Sequence, residues 1–265
     1  MSNTNSSANS ASKGACPCFK IMNDAKSWDK RSARYERFTG TLSDERREFI
    51  EKVREFGVEF EGKTLLDIGA GTGVYSLFLA QICKFVTATD VSEKMIEILK
   101  ADAAKFGISN LEAFVCDFCD FLPKKRYDIA FLTMSPALKS EKEMEKFLNL
   151  GEKHVFKAWR ENRISSLFSH FVSEDRRKMS ANLEDFEQFL AKNGVKYQSF
   201  DFDEIWEKER DVDDAFSDVS WHMELNKTEF DAQILRSSIA KLIAKSGKNG
   251  KILDKNISKT RLLVF

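Results

Sequence analysis

Neither sign of charge is in excess in this chain of 265 residues: lysine plus arginine number 42, and aspartate plus glutamate also number 42. Binding along a phosphate backbone draws on surplus positive charge, so nucleic acid is disfavoured as a partner. Long apolar runs are missing too. No stretch reaches the length of a membrane span, and residues 1 to 15, MSNTNSSANSASKGA, lack the apolar core of a secretory signal. The expectation is a cytoplasmic protein with no membrane partner. Cysteine is sparse: five residues, an odd number without framework spacing, argue for reduced thiols over structural disulfides. Cys16-Pro17-Cys18 and Cys116-x-x-Cys119 could in principle pool four thiolates. Only the second has a zinc-like spacing, and its members fall on a strand and on the loop after it, so no metal site is expected.

What is present is enough apolar material, 42%, for one sizeable core with an elaboration. Residues 1 to 20 read as a disordered tail, poor in anything to bury. Residues 21 to 60 read as a helical cap, with Trp28, Tyr35, Phe38, Phe49, Ile50, Val53 and Phe56 at roughly helical intervals and a break near Gly40. Residues 61 to 265 form the core. Short apolar runs at 64–69, 85–90, 111–117 and 127–134 alternate, in the first three cases, with helix-like segments, which predicts a parallel sheet covered on both faces. Helices are predicted over 141–150, 163–172 and 183–193, with strands at 154–159 and 195–202. Residues 203–227 read as acidic and irregular, 228–245 as an amphipathic helix, and 257–265 as a closing strand. That makes seven strands, with a helical insertion at about 204–255 before the last.

The segment LLDIGAGTGVYSLFLA (65 to 80) is a strand running through a glycine turn into a helix. Such a turn brings backbone N–H groups to a ligand with no side chains in the way, and Gly69, Gly71 and Gly73 are the candidate points of approach. Asp90 ends the next strand about twenty residues on, where a carboxylate can accept from both ribose hydroxyls of an adenosine, and Asp117 ends the third strand in the same way. A dinucleotide site would want a third glycine where Val74 stands. Asp67, two residues before the first glycine, would oppose a diphosphate and suit an ammonium. The ligand should carry a positive group and no phosphate.

DIGAGTG (67 to 73) resembles the first motif of the class I S-adenosylmethionine-dependent methyltransferases, and TDVSEKM (89 to 95) resembles the small-molecule, type 11-like branch of that class. The likeness covers residues 64 to 160 by motif. It implies a Rossmann-like α/β fold: a doubly wound, mostly parallel seven-stranded sheet whose antiparallel last strand is slotted between the fifth and sixth. It implies S-adenosyl-L-methionine as cofactor, with Asp67 and the three glycines at its methionine end, Asp90 on the ribose, Val91 and Met95 flanking the adenine, Asp117 accepting from the adenine amino group and Phe118 beside it. Thr133 completes the cofactor set.

In this class the end of the fourth strand faces the reactive methyl group, and here it reads LTMSPAL (132 to 138). Enzymes that methylate base amines or glutamine resemble one another in an Asn/Asp-Pro-Pro-aromatic motif there. Met134-Ser135-Pro136-Ala137 has neither the amide or acid nor the stacking ring, which speaks against base amines. Substrate-site candidates are Ser135, which could equally be a strand-end hydroxyl, Trp28 and Tyr35, which could equally pack on the sheet edge, and His222 after the acidic stretch 201–218. His154 and His170 read as structural. No catalytic base is assigned, since methyl transfer from a sulfonium needs one only if the acceptor must lose a proton. The expected activity is methyl transfer to a small-molecule acceptor. The alternatives are a catalytically silent cofactor-binding partner protein and, behind it, a metalloid or thiol methyltransferase or one acting on nucleic acid.

Overall fold

The computed structural model describes residues 25–123, 125–171, 181–225 and 228–265. The tail expected at residues 1–20, with Cys16 and Cys18, lies outside them. Two helices lead the described chain, α1 (Ala25–Arg31) and α2 (Asp44–Glu55). Then β1 (Thr64–Ile68), α3 (Val74–Ala80), β2 (Phe85–Asp90), α4 (Glu93–Lys105), β3 (Leu111–Val115), β4 (Tyr127–Thr133), α5 (Glu141–Leu150) and β5 (Gly151–Trp159) alternate as the apolar runs predicted. The second half contains β6 (Ile164–Ser165), α6 (Ala181–Lys192), β7 (Gln198–Arg210), α7 (Val212–Leu225), α8 (Ala232–Ser246) and β8 (Ile252–Val264).

The sheet runs β3-β2-β1-β4-β5-β8, parallel as far as β5, and β8 is antiparallel to β5. The other edge of β8 is taken by β7, paired from Gln198↔Val264 to Arg210↔Ile252. The last strand thus sits between β5 and β7, as the resemblance implied. An eighth strand is added by β6, two residues that continue the line of β5 along β8. Because side chains alternate across a strand, neighbours in sequence feed opposite cores. Leu65, Phe131, Val155 and Leu262 join the face covered by Phe49 and Leu77, whereas Leu66, Leu132, Phe156 and Leu263 join the face covered by Phe147 and Phe186.

Two local expectations are corrected. The described residues 163–171 of the expected helix 163–172 are not an α-helix: they contain β6 and a short 3-10 turn, Phe168–His170. The buried carboxylate of Asp254 on β8 accepts from Ser165 Oγ (2.7 Å) and Leu167 N (3.1 Å), drawing the segment onto β8 in place of helical bonds. Of residues 203–227, the described 203–225 are not irregular: β7 continues to Arg210 and α7 follows. Acidic residues of β7 meet cations on β8 and just after β5, Glu207 with Lys255 at 3.1 Å and Asp203 with Arg160 at 2.7 Å. Those partners lie far off in sequence, so the run looked like a solvated loop. Ala215, Val219 and Met223 recur every fourth residue and pack on Ile239 and Ile243 of α8.

Candidate functional site

A cleft of about 720 Å³ opens at the carboxyl ends of the parallel strands, within the range of ligand pockets. Its floor is the turn after β1. Gly69, Gly71 and Gly73 all have φ between 58° and 80°, a region closed to most side chains. Gly69 also has no room: a Cβ there would lie 2.1 Å from Ser135 Oγ, and one at Gly73 would lie 2.4 Å from Leu99 Cγ. Only Gly71 faces open space. A Gly69→Ala chain should therefore lose roughly 2 kcal/mol of stability. Adding Ser135→Gly should recover the steric part and leave the positive-φ part, as measured by urea unfolding of the single and double variants.

Asp90, at the end of β2, holds this turn. Its Oδ2 accepts from Gly71 N and its Oδ1 from Ser92 N, both at 2.9 Å. Burial pushes its carboxyl above the usual carboxylate range, with those two backbone donors pulling against the rise. Asp90 also lines the cleft. Beyond it Val91, Met95, Cys116, Asp117 and Phe118 wall a largely apolar slot. The ring of Phe118 is covered by Lys146 Nζ at 4.9 Å, which also donates to Phe118 O at 2.7 Å. Asp117 is paired with Lys139 and accepts from Cys119 N at 3.1 Å. Burial alone would raise its pKa, but the Lys139 bond and the backbone donor outweigh burial and hold it below the usual range. Asp117 and these apolar residues line the same cleft as Gly69 and Gly71.

Asp67 is placed differently from the expectation. It is 2% exposed, is not on the cleft wall, and accepts from Ser76 Oγ of α3 at 2.5 Å. It fastens the helix to the strand beneath the turn. Gly73, too, serves packing against α4 and does not line the cleft. Burial pushes the Asp67 carboxyl up to about 7, offset in part by Ser76 and reinforced by the nearby charge of Asp90. Because the folded pKa is raised, the folded chain holds a proton that the unfolded chain has lost between pH ~4 and ~7. Stability should fall as pH rises through that window and then level off. In Asp67→Asn the fall should be absent, which urea unfolding at a series of pH values would show.

The strand β4 leaves the sheet at Met134, whose φ of 54° is a left-handed conformation costly for a bulky residue. Met134 N donates to Lys157 O of β5 at 2.7 Å, fixing the bend. The turn is made there, one residue before Ser135 and two before Pro136, and it sets Ser135, Pro136 and Ala137 along the cleft beside Thr133. Ser135 is packed against Gly69.

Trp28 and Tyr35 both line the cleft, in edge contact at 6.3 Å. Asp29 anchors α1 by accepting from Ser92 Oγ (2.5 Å) and Lys94 N (3.1 Å) at the start of α4. At the C-terminal end of α1, two residues on, the Arg31 guanidinium lies 3.1 Å from the centroid of Trp221 on α7. His222 is not brought to the cleft; its ring packs on Phe168 at 4.2 Å. His154 is stacked on Phe265 at 4.7 Å and bonded to Phe147 O, and burial pushes its pKa down to about 4. Among the described residues Cys83, Cys116 and Cys119 are free, and no cluster of three metal-ligating side chains occurs. No helix among them is long and apolar enough to cross a membrane.

The far wall contains residues that the sequence reading missed. Lys157 of β5, 7% exposed, lies 3.3 Å from Glu204 Oε1 of β7 and is stacked over Phe202 and Phe49. Burial lowers its pKa, with Glu204 opposing. Thr260, Ser258, Trp206 and Arg163 continue this wall. The signal was a lone lysine inside the apolar strand HVFKAW, and the alternation Phe200, Phe202, Glu204, Trp206 running past the end assigned to that strand.

Residues 65–154 match the family model described as a methyltransferase domain. A protein of Methanocaldococcus jannaschii, described as a probable cobalt-precorrin-6B C(15)-methyltransferase (decarboxylating), is 32% identical over 89 residues, 34% of this chain and 45% of that protein. The chain thus spans about half the length of the curated relatives it matches; a second, from Methanococcus vannielii and of the same description, is matched over 48%. Among solved structures, an S-adenosylmethionine-dependent methyltransferase of Geobacter sulfurreducens in complex with S-adenosyl-L-homocysteine aligns with a TM-score of 0.51 at 13% identity, over 90% of this chain and 97% of that one. The YcgJ protein of Bacillus subtilis aligns at 0.51 and 14%, over 83% and 97%. The methyltransferase-domain match covers residues 65–154, and the chain shares the fold of these solved structures.

Proposed function

We propose that the chain transfers the methyl group of S-adenosyl-L-methionine to a small-molecule acceptor by direct displacement within this cleft. The observation that carries the reading is the continuity of one cleft from Asp90 and the glycine turn to the polar wall of Lys157 and Glu204. When bound, the cofactor supplies an activated methyl carbon on a sulfonium with a neutral thioether as leaving group. The chain itself has to bind, align and exclude water, a proximity effect of ~7 to 11 kcal/mol in favourable cases.

Asp90 accepts from the ribose hydroxyls, and Gly69 and Gly71 let the backbone close on the ligand. Val91, Met95 and Phe118 enclose the adenine, with Asp117 accepting at its edge and Thr133 beside the methyl-bearing end. Asp67 and Gly73 support the turn from below. Trp28, on the anchored α1, and Tyr35, just after the short 3-10 turn that follows it, cover the cleft. The matched relatives are named for a small-molecule acceptor, which supports that class of acceptor. The matched domain ends at residue 154, ahead of the far wall, so the acceptor's identity does not transfer with it. The balanced charge and the Met-Ser-Pro-Ala loop favour a metabolite over nucleic acid.

The test is incubation of the protein with methyl-labelled cofactor and a small-molecule extract, followed by isolation of the labelled compound. A labelled metabolite is expected. Cofactor binding without any transfer, together with tight binding of another protein, would favour a silent partner protein instead.

A further inference from the structure

On the face of the sheet that carries Phe131, Val155, Phe202 and Leu262, the apolar core stops short of the strand ends. The same face then turns polar. Lys157 follows Val155 by two residues, Thr260 precedes Leu262 by two, and Glu204 follows Phe202 by two, so alternation delivers all three to one side. Cross-strand register agrees: Lys157 is opposite Leu262, Thr260 is opposite Phe202, and Glu204 is opposite Ser258. All three polar groups line the cleft.

Two features set this patch apart from an ordinary surface ion pair. The lysine side chain is only 8% exposed, and it fixes a carboxylate that is itself open to the cleft, at 33%. The Thr260 hydroxyl is buried yet has no hydrogen-bond partner among the described residues. A buried hydroxyl without a partner is costly, so its place on a ligand wall points to a ligand atom as partner. Lys157 and Glu204 cancel in charge. The patch is built for hydrogen bonding to a neutral polar group, not for a bare anion or cation.

We propose that Glu204, positioned by Lys157, accepts the hydrogen of an acceptor hydroxyl or amine while the Thr260 hydroxyl bonds to the acceptor. This rests on the methyl-transfer reading and narrows its substrate class to acceptors with an O–H or N–H nucleophile. The acceptor's oxygen or nitrogen forms its bond to the methyl carbon as that carbon's bond to sulfur breaks, the electron pair staying on sulfur. The acceptor's proton passes to the Glu204 carboxylate and from there to water. Glu204 is then a catalytic residue and Lys157 a positioning one.

The experiment uses the full chain, cofactor carrying a 13C methyl group, and a small-molecule extract. The carbon and proton shifts of new methyl signals tell O-methyl and N-methyl from S-methyl and C-methyl without identifying the product. New O-methyl or N-methyl signals are expected, and Glu204→Gln should slow their appearance roughly a hundredfold or more. Its affinity for S-adenosyl-L-homocysteine, by calorimetry, should stay as in the unaltered chain, which separates this loss from a failure to fold or to bind cofactor. Thr260→Val should slow transfer and also raise the melting temperature, because it removes an unpaired buried hydroxyl at constant shape. Methyl signals only on sulfur or carbon, or undiminished transfer by Glu204→Gln, would overturn the assignment and leave methyl transfer standing. No new methyl signal despite bound cofactor would remove both.

Discussion

Replacing Asp90 by Ala is expected to weaken binding of S-adenosyl-L-homocysteine roughly a hundredfold, about 3 kcal/mol, as measured by titration calorimetry. Hydrogen bonds to a charged group are worth ~1.5 to 3 kcal/mol each, and two ribose hydroxyls would lose their acceptor together. A further loss comes from the protein side. The same carboxylate accepts from Gly71 N and Ser92 N, so Asp90→Ala also releases the glycine turn and the first turn of α4. Asp90→Asn keeps the shape and one acceptor oxygen, and its affinity should fall between the two. Unchanged affinity in Asp90→Ala, with the fold intact by its melting curve, would remove the cofactor-site assignment.

The parts of this site that were legible in the sequence are those made within one stretch of chain. Strand, glycine turn, helix and the acid that ends the next strand follow each other in order. Their geometry is set by local rules: positive φ at glycine, alternation in strands, a carboxylate at a strand's end. Asp67 shows the limit of such reading. Its position next to the glycines suggested a ligand contact, but its side chain is buried under α3, accepts from Ser76 and does not line the cleft. Met134 shows another. The bend there depends on a hydrogen bond to Lys157 of another strand.

The far wall was hidden for a related reason. Lys157, Glu204 and Thr260 come from strands separated by tens of residues, and no spacing rule joins them. Only the register of β5, β8 and β7 does so. The acidic run from Asp201 to Asp218 reads as solvated lid because its counterions, Arg160, Lys255, Arg261 and Lys251, lie elsewhere in sequence. Once paired across strands, the same residues make a stiff ribbon that places Glu204 and Trp206 on the cleft.

That ribbon rests on a buried ionic knot, and Asp254→Ala should destabilise the chain by ~3 to 5 kcal/mol, the usual cost of removing one partner of a buried pair. Asp254 is fully buried and accepts from Arg210 Nε at 3.0 Å as well as from Ser165 and Leu167. Arg210, 4% exposed, also meets Asp218 at 2.8 Å and Asp214 at 3.2 Å, both on α7. Removing Asp254 leaves a buried guanidinium short of one acceptor and frees β6 from β8. Burial acts to raise the Asp254 pKa, but its hydrogen bonds outweigh that and hold it below the usual carboxylate range. A depressed folded pKa means that this stability is present above the unfolded value and is lost as pH falls through the folded one. Urea unfolding should therefore separate Asp254→Ala from the unaltered chain widely near neutrality and less in acid. The double variant Asp254→Ala/Arg210→Met should lose less than the sum of the two single changes, since the second removes the charge that the first strands. Additive losses would mean that the two side chains stabilise the ribbon independently, and that the knot is not what holds Glu204 in place.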